Sequence, residues 1–286
     1  MNREILKEIE DNINKMTKSQ KKIADYIVNN SVQCVFQTAD QLANAVGTST
    51  PTVVRFANLF DYSGYAEFQK DLQENIKDMI ALYSKLESSS KGFNAKNDIV
   101  NEVLQIQLNN FNNTLENINE ELILQASNLI SEADRVYISG SRSCFSVAHY
   151  LNYNLNRILG NCDQIISIGG DLAEKVDRIK KGDVVILMSL PKYVKDIVSV
   201  AKVAKERGAK VIAITDSYMS PLVKHSDVLF RVEIKSYDFH NSIMTSMLIA
   251  EILISVIVRQ NPDKIKEQLL KSENLLREFD VHFHKK

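Results

Sequence analysis

The chain has 286 residues, 44% of them hydrophobic, enough for two domains of ordinary size with packed cores. Lys and Arg number 35 against 36 Asp and Glu, a formal net charge of −1, which excludes a strongly basic, sequence-blind polyanion binder but leaves room for a local positive patch. Cys34, Cys144 and Cys162 lie far apart without CxxC spacing, which excludes a disulfide framework and points to a reducing compartment.

The start, Met1–Met16, is charged and amphipathic and lacks the apolar core of a signal peptide. Up to about Tyr83 apolar residues recur at three- and four-residue spacing, which predicts an all-helical region. Ser84–Asn97 is rich in serine and polar residues, contains Gly92 and has little periodicity, so it is expected to be a linker. The expected domains are therefore 1–83, the linker 84–97, and 98–286. A single long helix is predicted from Asp98 to about Ile130, with Ile99, Val103, Ile106, Leu108, Leu115, Ile118, Leu122, Ala126 and Leu129 on its apolar face.

From Ala133 the pattern alternates. Strands are predicted at Arg135–Ser139, Gln164–Ile168, Asp183–Ser189, Lys210–Thr215 and Val228–Val232. Helices are predicted between and after them at Cys144–Leu159, Leu172–Lys180, Val194–Arg207 and Ser242–Arg259. Strand alternating with helix implies right-handed βαβ units, so the second domain is expected to be α/β with a five-stranded, doubly wound parallel sheet. The longest apolar run, Met244–Val258, is interrupted by Glu251 and is short for a bilayer, which predicts a buried helix of a cytoplasmic protein without a membrane partner.

The most informative N-terminal segment is Thr38–Phe60. Thr38 with Gln41 has capping-box spacing and Gly47 closes the first helix. Ser49 is the natural N-cap of a second helix, and Pro51 fits its first turn. Leu42, Ala43 and Val46 are expected to pack against Val53, Val54 and Ala57. Helix, glycine turn, helix is the helix-turn-helix plan, whose second helix enters the major groove of DNA by its N-terminal end. Ser49, Thr50, Thr52 and Arg55 would then meet base edges and phosphates, with Arg55 able to fork onto a guanine. Lys18, Lys21 and Lys22, on an earlier helix, could meet backbone phosphates. The other reading of these residues is a plain helical hairpin with a solvated polar face. Residues 1–80 carry nine Lys and Arg against eleven Asp and Glu, so affinity for DNA requires a local patch and two copies of the module.

Met16–Ile27, Thr52-Val-Val-Arg-Phe56 and Tyr62-Ser-Gly-Tyr-Ala-Glu-Phe68 resemble the N-terminal domain of the RpiR family of bacterial regulators. That resemblance implies a DNA-binding transcriptional regulator.

Two places in the second domain suit an anion. Arg135–Ala148 reads as strand, small-residue turn and helix start, where backbone amides and the helix dipole favour negative charge. Ser141 and Ser143 add hydroxyls and Arg142 a fork suited to phosphate. A strand-to-helix turn in which Gly140 merely fits is the other reading. After the third strand, Ser189, Lys192 and Tyr193 sit at a carboxyl end, where open parallel sheets bind ligands.

From about Asn119 to Val258, including Ala204–Asp216 and Ser220-Pro-Leu222, the order of pieces resembles the sugar isomerase (SIS) domain that follows the helix-turn-helix in the RpiR family. The resemblance implies a phosphorylated sugar as ligand, held by Gly140, Ser141, Arg142, Ser143 and Cys144 in one loop and by Ser189, Lys192 and Tyr193 in the other. This sequence departs from the pattern in both loops. Of the usual Ser-x-Ser-Gly-x-Thr only the first serine stands in Ser189–Val194, and the usual first-loop serine position falls on either Cys144 or Ser143.

The rival function is a sugar-phosphate isomerase, which needs a positioned base. Glu251, His240 and His149 are the candidates, and no spacing links them into an acid/base pair. A ligand-free scaffold is a third reading. No catalytic residue, metal or cofactor is expected: His282-Phe-His284 lacks further ligands at metal-binding spacing, and Gly169-Gly170 is too short for a dinucleotide fingerprint. The expected partners are a double-stranded operator, a phosphosugar and the chain itself, as a homodimer or tetramer.

Overall fold

The computed structural model describes residues 5–77, 79–80, 98–166 and 171–279. The chain divides into two compact units, Met1–Asn97 and Asp98–Lys286. The Ser84–Asn97 segment and the Gly169-Gly170 and His282-Phe-His284 motifs lie outside the described residues.

The first unit consists of α1 (Ile5–Asn12), α2 (Lys18–Asn29), the single turn α3 (Ser31–Cys34), α4 (Ala39–Val46), α5 (Thr50–Asn58) and α6 (Tyr65–Asn75). Capping boxes start two of these helices. Thr17 and Gln20 cap α2, and Thr38 and Gln41 cap α4, each pair satisfying two otherwise orphaned amides. Gly47 ends α4 at φ 70°, a left-handed conformation that a side chain would disfavour. The core is aromatic: Phe68 is fully buried, with the rings of Phe56, Phe60, Tyr62 and Tyr65 at 5.9, 6.4, 5.5 and 6.1 Å. Tyr65 donates to the Cys34 carbonyl and Gln69 to those of Val35 and Gln37, fastening α6 to the end of α3.

One expected contact in the helix pair is corrected. Leu42 and Ala43 are buried with Val53 and Ala57, and Val46 packs on that core, but Val54 is only half-buried and stands outside it. Phe56 and Phe60 supply the inward bulk instead.

In the second unit β1 (Val136–Gly140), β2 (Cys162–Gln164), β3 (Val184–Met188), β4 (Lys210–Thr215) and β5 (Val228–Arg231) form one parallel sheet in the order β2-β1-β3-β4-β5. β1, β3 and β4 are apolar because both sheet faces are covered. On one face Ile138, Ile186, Ile212 and Phe230 meet the helices Glu120–Glu132, Cys144–Leu159 and Met244–Gln260. On the other, Tyr137, Val185, Leu187 and Val211 meet Leu172–Asp177 and Lys195–Glu206. The chain leaves β1 toward β2 on one side and returns to β3 on the other, so the crevice at the carboxyl ends of β1 and β3 is the switch point where such sheets bind ligands. Among the described residues no single helix is long and apolar enough to cross a membrane.

Four expectations change. The single Asp98–Ile130 helix is two, Ile99–Leu115 and Glu120–Glu132, because Asn119 caps the second by accepting from the Leu122 amide at 2.8 Å. The first of these turns its polar side inward. Asn110 and Thr114 are buried, donating to the Lys235 carbonyl and accepting from the Glu233 amide, while Val100, Leu104, Leu108 and Leu115 are exposed. β2 occupies Cys162–Gln164 rather than Gln164–Ile168: its register opposite β1 starts at Val136↔Cys162, and residues 167–168 lie outside the described part. The helix expected at Leu172–Lys180 stops at Asp177, since the Lys180 amide donates to the Asp183 carboxylate and the chain turns. An additional helix, Pro262–Glu278, follows the last expected one.

Candidate functional site

Two sites take shape, one in each unit. In the first, α5 begins at Thr50 with Pro51 in its first turn. Ser49 stands at the N-cap but does not cap the helix through its side chain; its hydroxyl pairs with that of Thr52 at 2.8 Å. Thr50 donates to Asp40 at the start of α4. Arg55 is exposed, its Nε resting on the Pro51 carbonyl at 3.3 Å. Lys18, Lys21 and Lys22 are exposed on α2, which packs against α5. Hydroxyls, an exposed guanidinium and three ammonium groups thus decorate two neighbouring helices. Asp40 places an acid at the edge of that face, one reason the unit carries no net positive charge.

The second site lies at the carboxyl edge of the sheet. β1 runs directly into the Cys144–Leu159 helix through Ser141, Arg142 and Ser143. Gly140 is required by close approach: a Cβ there would stand 2.7 Å from the Cys144 carbonyl oxygen and 3.2 Å from the Ala148 Cβ. Gly140→Ala is therefore expected to push the helix start off the sheet and cost about 1–3 kcal/mol, the usual range for overpacking. A thermal melt would read this as a lower transition for the second unit, and an unchanged melt would mean that the contact gives way freely.

Arg142 has φ 57° and Ser143 φ −62°. Left-handed followed by right-handed backbone turns successive amides to one side, the geometry of an anion-binding nest. The Ser141, Arg142 and Ser143 amides donate to no backbone carbonyl among the described residues. Arg142 and Ser143 are exposed, Ser141 is half-buried and Cys144 is buried.

After β3, Ser189 is buried, its amide donating to the Ile214 carbonyl and its own carbonyl accepting from the Thr215 hydroxyl at 2.7 Å. Lys192 is exposed and sits at φ 69°, a second side chain held in the left-handed region. Such backbone costs of the order of 1–3 kcal/mol and collects at functional sites. Tyr193 donates to the Asp216 Oδ1 at 2.9 Å; burial, then that bond, pushes its phenol up to about 12, so it stays a donor at any physiological pH.

The two loops meet at Cys144. Burial raises its thiol to about 11, the Leu190 amide hydrogen-bonds to it, and Asp216 is close enough to act on it electrostatically. The thiol is therefore neutral and unreactive, and packs the loops together. Asp216 is the residue the motif reading missed. Its signal was topological: it follows β4 at the same sheet edge as the other two loops.

Two of the three candidate acid/base groups, Glu251 and His149, are engaged with other side chains. Glu251 accepts from the Tyr150 hydroxyl on the exposed side of the Met244–Gln260 helix. His149 pairs with Gln164 at 3.1 Å and stacks on Phe145. His240 lies between β5 and the last sheet-covering helix, next to Asn241, which donates to the Pro191 carbonyl at 3.5 Å.

The sequence of residues 3–78 matches the helix-turn-helix domain of the rpiR family, and residues 129–256 match the SIS domain. An HTH-type transcriptional regulator of Caldanaerobacter subterraneus subsp. tengcongensis is 26% identical over 259 residues, 89% of each chain. The sugar isomerase domain of an RpiR transcription factor from Sphaerobacter thermophilus superposes with TM-score 0.60 at 24% identity, covering 62% of this chain and 99% of that one. The Vibrio vulnificus NanR protein, solved in complex with ManNAc-6P, superposes with TM-score 0.57 at 20% identity, covering 96% of this chain and 98% of that one. The helical first unit, the five-stranded parallel sheet and these two matches, which span most of the chain, place the protein in the RpiR family of HTH-type transcriptional regulators, with a C-terminal SIS domain.

Proposed function

We propose that the first unit binds a two-fold DNA operator through α5 and α2, and that a phosphorylated sugar held in the SIS unit controls that binding. The observation that carries the effector half is the β1 loop: three amides in a nest that donate to no backbone carbonyl among the described residues, beside a guanidinium with no ion pair among them, at the switch point of the sheet. Lys192 supplies a second cation from the facing loop. A dianionic phosphate gains charge-assisted hydrogen bonds from this set, whereas a neutral sugar gains few. NanR, similar in fold, was solved with a phosphosugar.

The unit senses its ligand and does not convert it. Of the three candidate proton carriers, Glu251 and His149 are bonded to Tyr150 and Gln164, and no hydrogen bond or ion pair among the described residues joins either of them or His240 into an acid/base pair. Two-fold operators need paired readers, so the working form is a homodimer or tetramer in the cytoplasm. The outward stripe of Val100, Leu104, Leu108 and Leu115 offers a surface for pairing.

Isothermal calorimetry of the full chain against hexose 6-phosphates and the matching free sugars tests the effector reading. Phosphates are expected to bind and free sugars not to; no binding of any phosphate ends it. For DNA, Arg55→Ala should weaken specific binding by about 1–3 kcal/mol if the fork reads a guanine. Fluorescence anisotropy showing equal affinity for parent and variant would remove Arg55 from the interface.

A further inference from the structure

The carboxyl edge of the sheet holds three charges that do not neutralise one another. Arg142 and Lys192 are exposed cations with no ion pair among the described residues, and Asp216 is a half-buried carboxylate that pairs with neither. Asp216 is nonetheless held firmly. Its Oδ1 accepts from Tyr193 at 2.9 Å; the Thr215 hydroxyl, which donates to the Ser189 carbonyl at 2.7 Å, lies 3.3 Å away and is paired with Ser220 at 2.9 Å. Its Oδ2 accepts from nothing among the described residues. It follows β4, which neighbours β3, so it stands at the same carboxyl edge as the loops after β1 and β3.

A carboxylate fixed beside an anion site is costly unless it is used. It repels the phosphate that the cations attract, and a site built for phosphate alone would be better with a neutral residue there. We infer that Asp216, positioned by Tyr193, is the specificity-determining residue of the site, and that its free Oδ2 accepts a hydrogen bond from the sugar end of the ligand.

This rests on the effector reading above and sharpens it. The ligand carries its anion at one end and a hydrogen-bond donor at the other, the phosphate in the Ser141–Ser143 nest and the donor at Asp216. An ammonium donor gains most, because it adds full charge to the hydrogen bond, so hexosamine phosphates should outrank hexose phosphates of the same shape. Tyr193 keeps the carboxylate rotamer fixed, and Lys192 closes the opposite side.

The test is Asp216→Asn in the full chain, which keeps an Oδ1 acceptor for Tyr193, removes the charge and replaces the Oδ2 acceptor with an amide donor. Three probes are titrated by calorimetry: inorganic phosphate, glucose 6-phosphate and glucosamine 6-phosphate. The charge-reading role predicts opposite signs. Affinity for inorganic phosphate should hold or rise as repulsion is relieved. Affinity for glucose 6-phosphate should fall several-fold, and that for glucosamine 6-phosphate by about tenfold or more, the loss of one charge-assisted hydrogen bond. Tyr193→Phe should give smaller losses in the same order, through a carboxylate free to rotate. Parallel gains for all three probes would mean that Asp216 is only a repulsive neighbour, and overturn the inference while leaving the phosphosugar reading intact. A parent protein that binds neither sugar phosphate would overturn both. Circular dichroism melts of the variants distinguish lost contacts from lost fold.

Discussion

Phe68→Ala is expected to unfold the first unit and leave the second standing. Phe68 is fully buried, and four aromatic rings surround it at centroid distances of 5.5 to 6.4 Å. Truncating a buried phenylalanine costs about 3–5 kcal/mol, from lost transfer free energy and from the cavity left behind. The neighbours cannot collapse into that space. Tyr65 is tied to the Cys34 carbonyl, Tyr62 to Asp71, and Phe56 lies on α5 against its helix-turn-helix partner α4. Small domains are stable by only about 5–15 kcal/mol, so the loss is a large share of the total. The two units have separate cores, so a thermal melt should show one early transition and one unshifted. DNA binding should disappear at temperatures where the variant still binds its sugar phosphate. A melt identical to the parent's would show that the aromatic cluster does not hold the unit together.

Substitutions at Arg142 are expected to separate stability from binding. The residue is a cation beside the nest, and its φ of 57° is a conformation that costs a non-glycine residue about 1–2 kcal/mol. Arg142→Ala should lose a charge-assisted contact worth about 1.5–3 kcal/mol, tenfold or more in effector affinity, and keep the backbone strain. Arg142→Gly removes the cation and the strain together, so it should melt higher than the parent and bind as poorly as alanine. Arg142→Lys keeps the charge without the planar fork and should fall between. Calorimetry and thermal melts on the three proteins give a pattern of opposite signs that a purely structural arginine would not produce. If Arg142→Ala binds as tightly as the parent, the phosphate sits elsewhere.

The helix-turn-helix was legible because its signals are local. Thr38 with Gln41, Gly47 and Pro51 each act within a few residues, and each stands where its chemistry puts it. β1, β3 and β4 were legible because burial on both faces writes a continuous apolar run, and the edge strand β5 because its apolar Val228 and Phe230 alternate inward. What failed was set by tertiary contacts. The Ile99–Leu115 helix has a clear apolar side, but periodicity cannot tell which side meets the body of the protein. The decision falls to Asn110 and Thr114, whose partners Lys235 and Glu233 are more than a hundred residues away. The break before Glu120 hides among many asparagines, only one of which, Asn119, caps a helix there. β2 begins at Cys162, ahead of the more β-like isoleucines, because its register is dictated by β1.

The site divides the same way. Gly140 and the hydroxyls around it could be read from the strand-turn-helix order. The left-handed backbone at Arg142 and Lys192 could not, since neither residue type announces it. Asp216 could be found only by placing the end of β4 beside the ends of β1 and β3, which requires the strand order.

If operator and phosphosugar are read by one coupled molecule, each must change the affinity for the other equally. Operator affinity of the full chain is measured by anisotropy with and without saturating sugar phosphate. Sugar-phosphate affinity is then measured by calorimetry with and without saturating operator. Both affinities are expected to change by one common factor, roughly 5–150-fold by the usual size of such couplings. A sugar phosphate that binds while operator affinity stays constant at saturation would contradict the coupling.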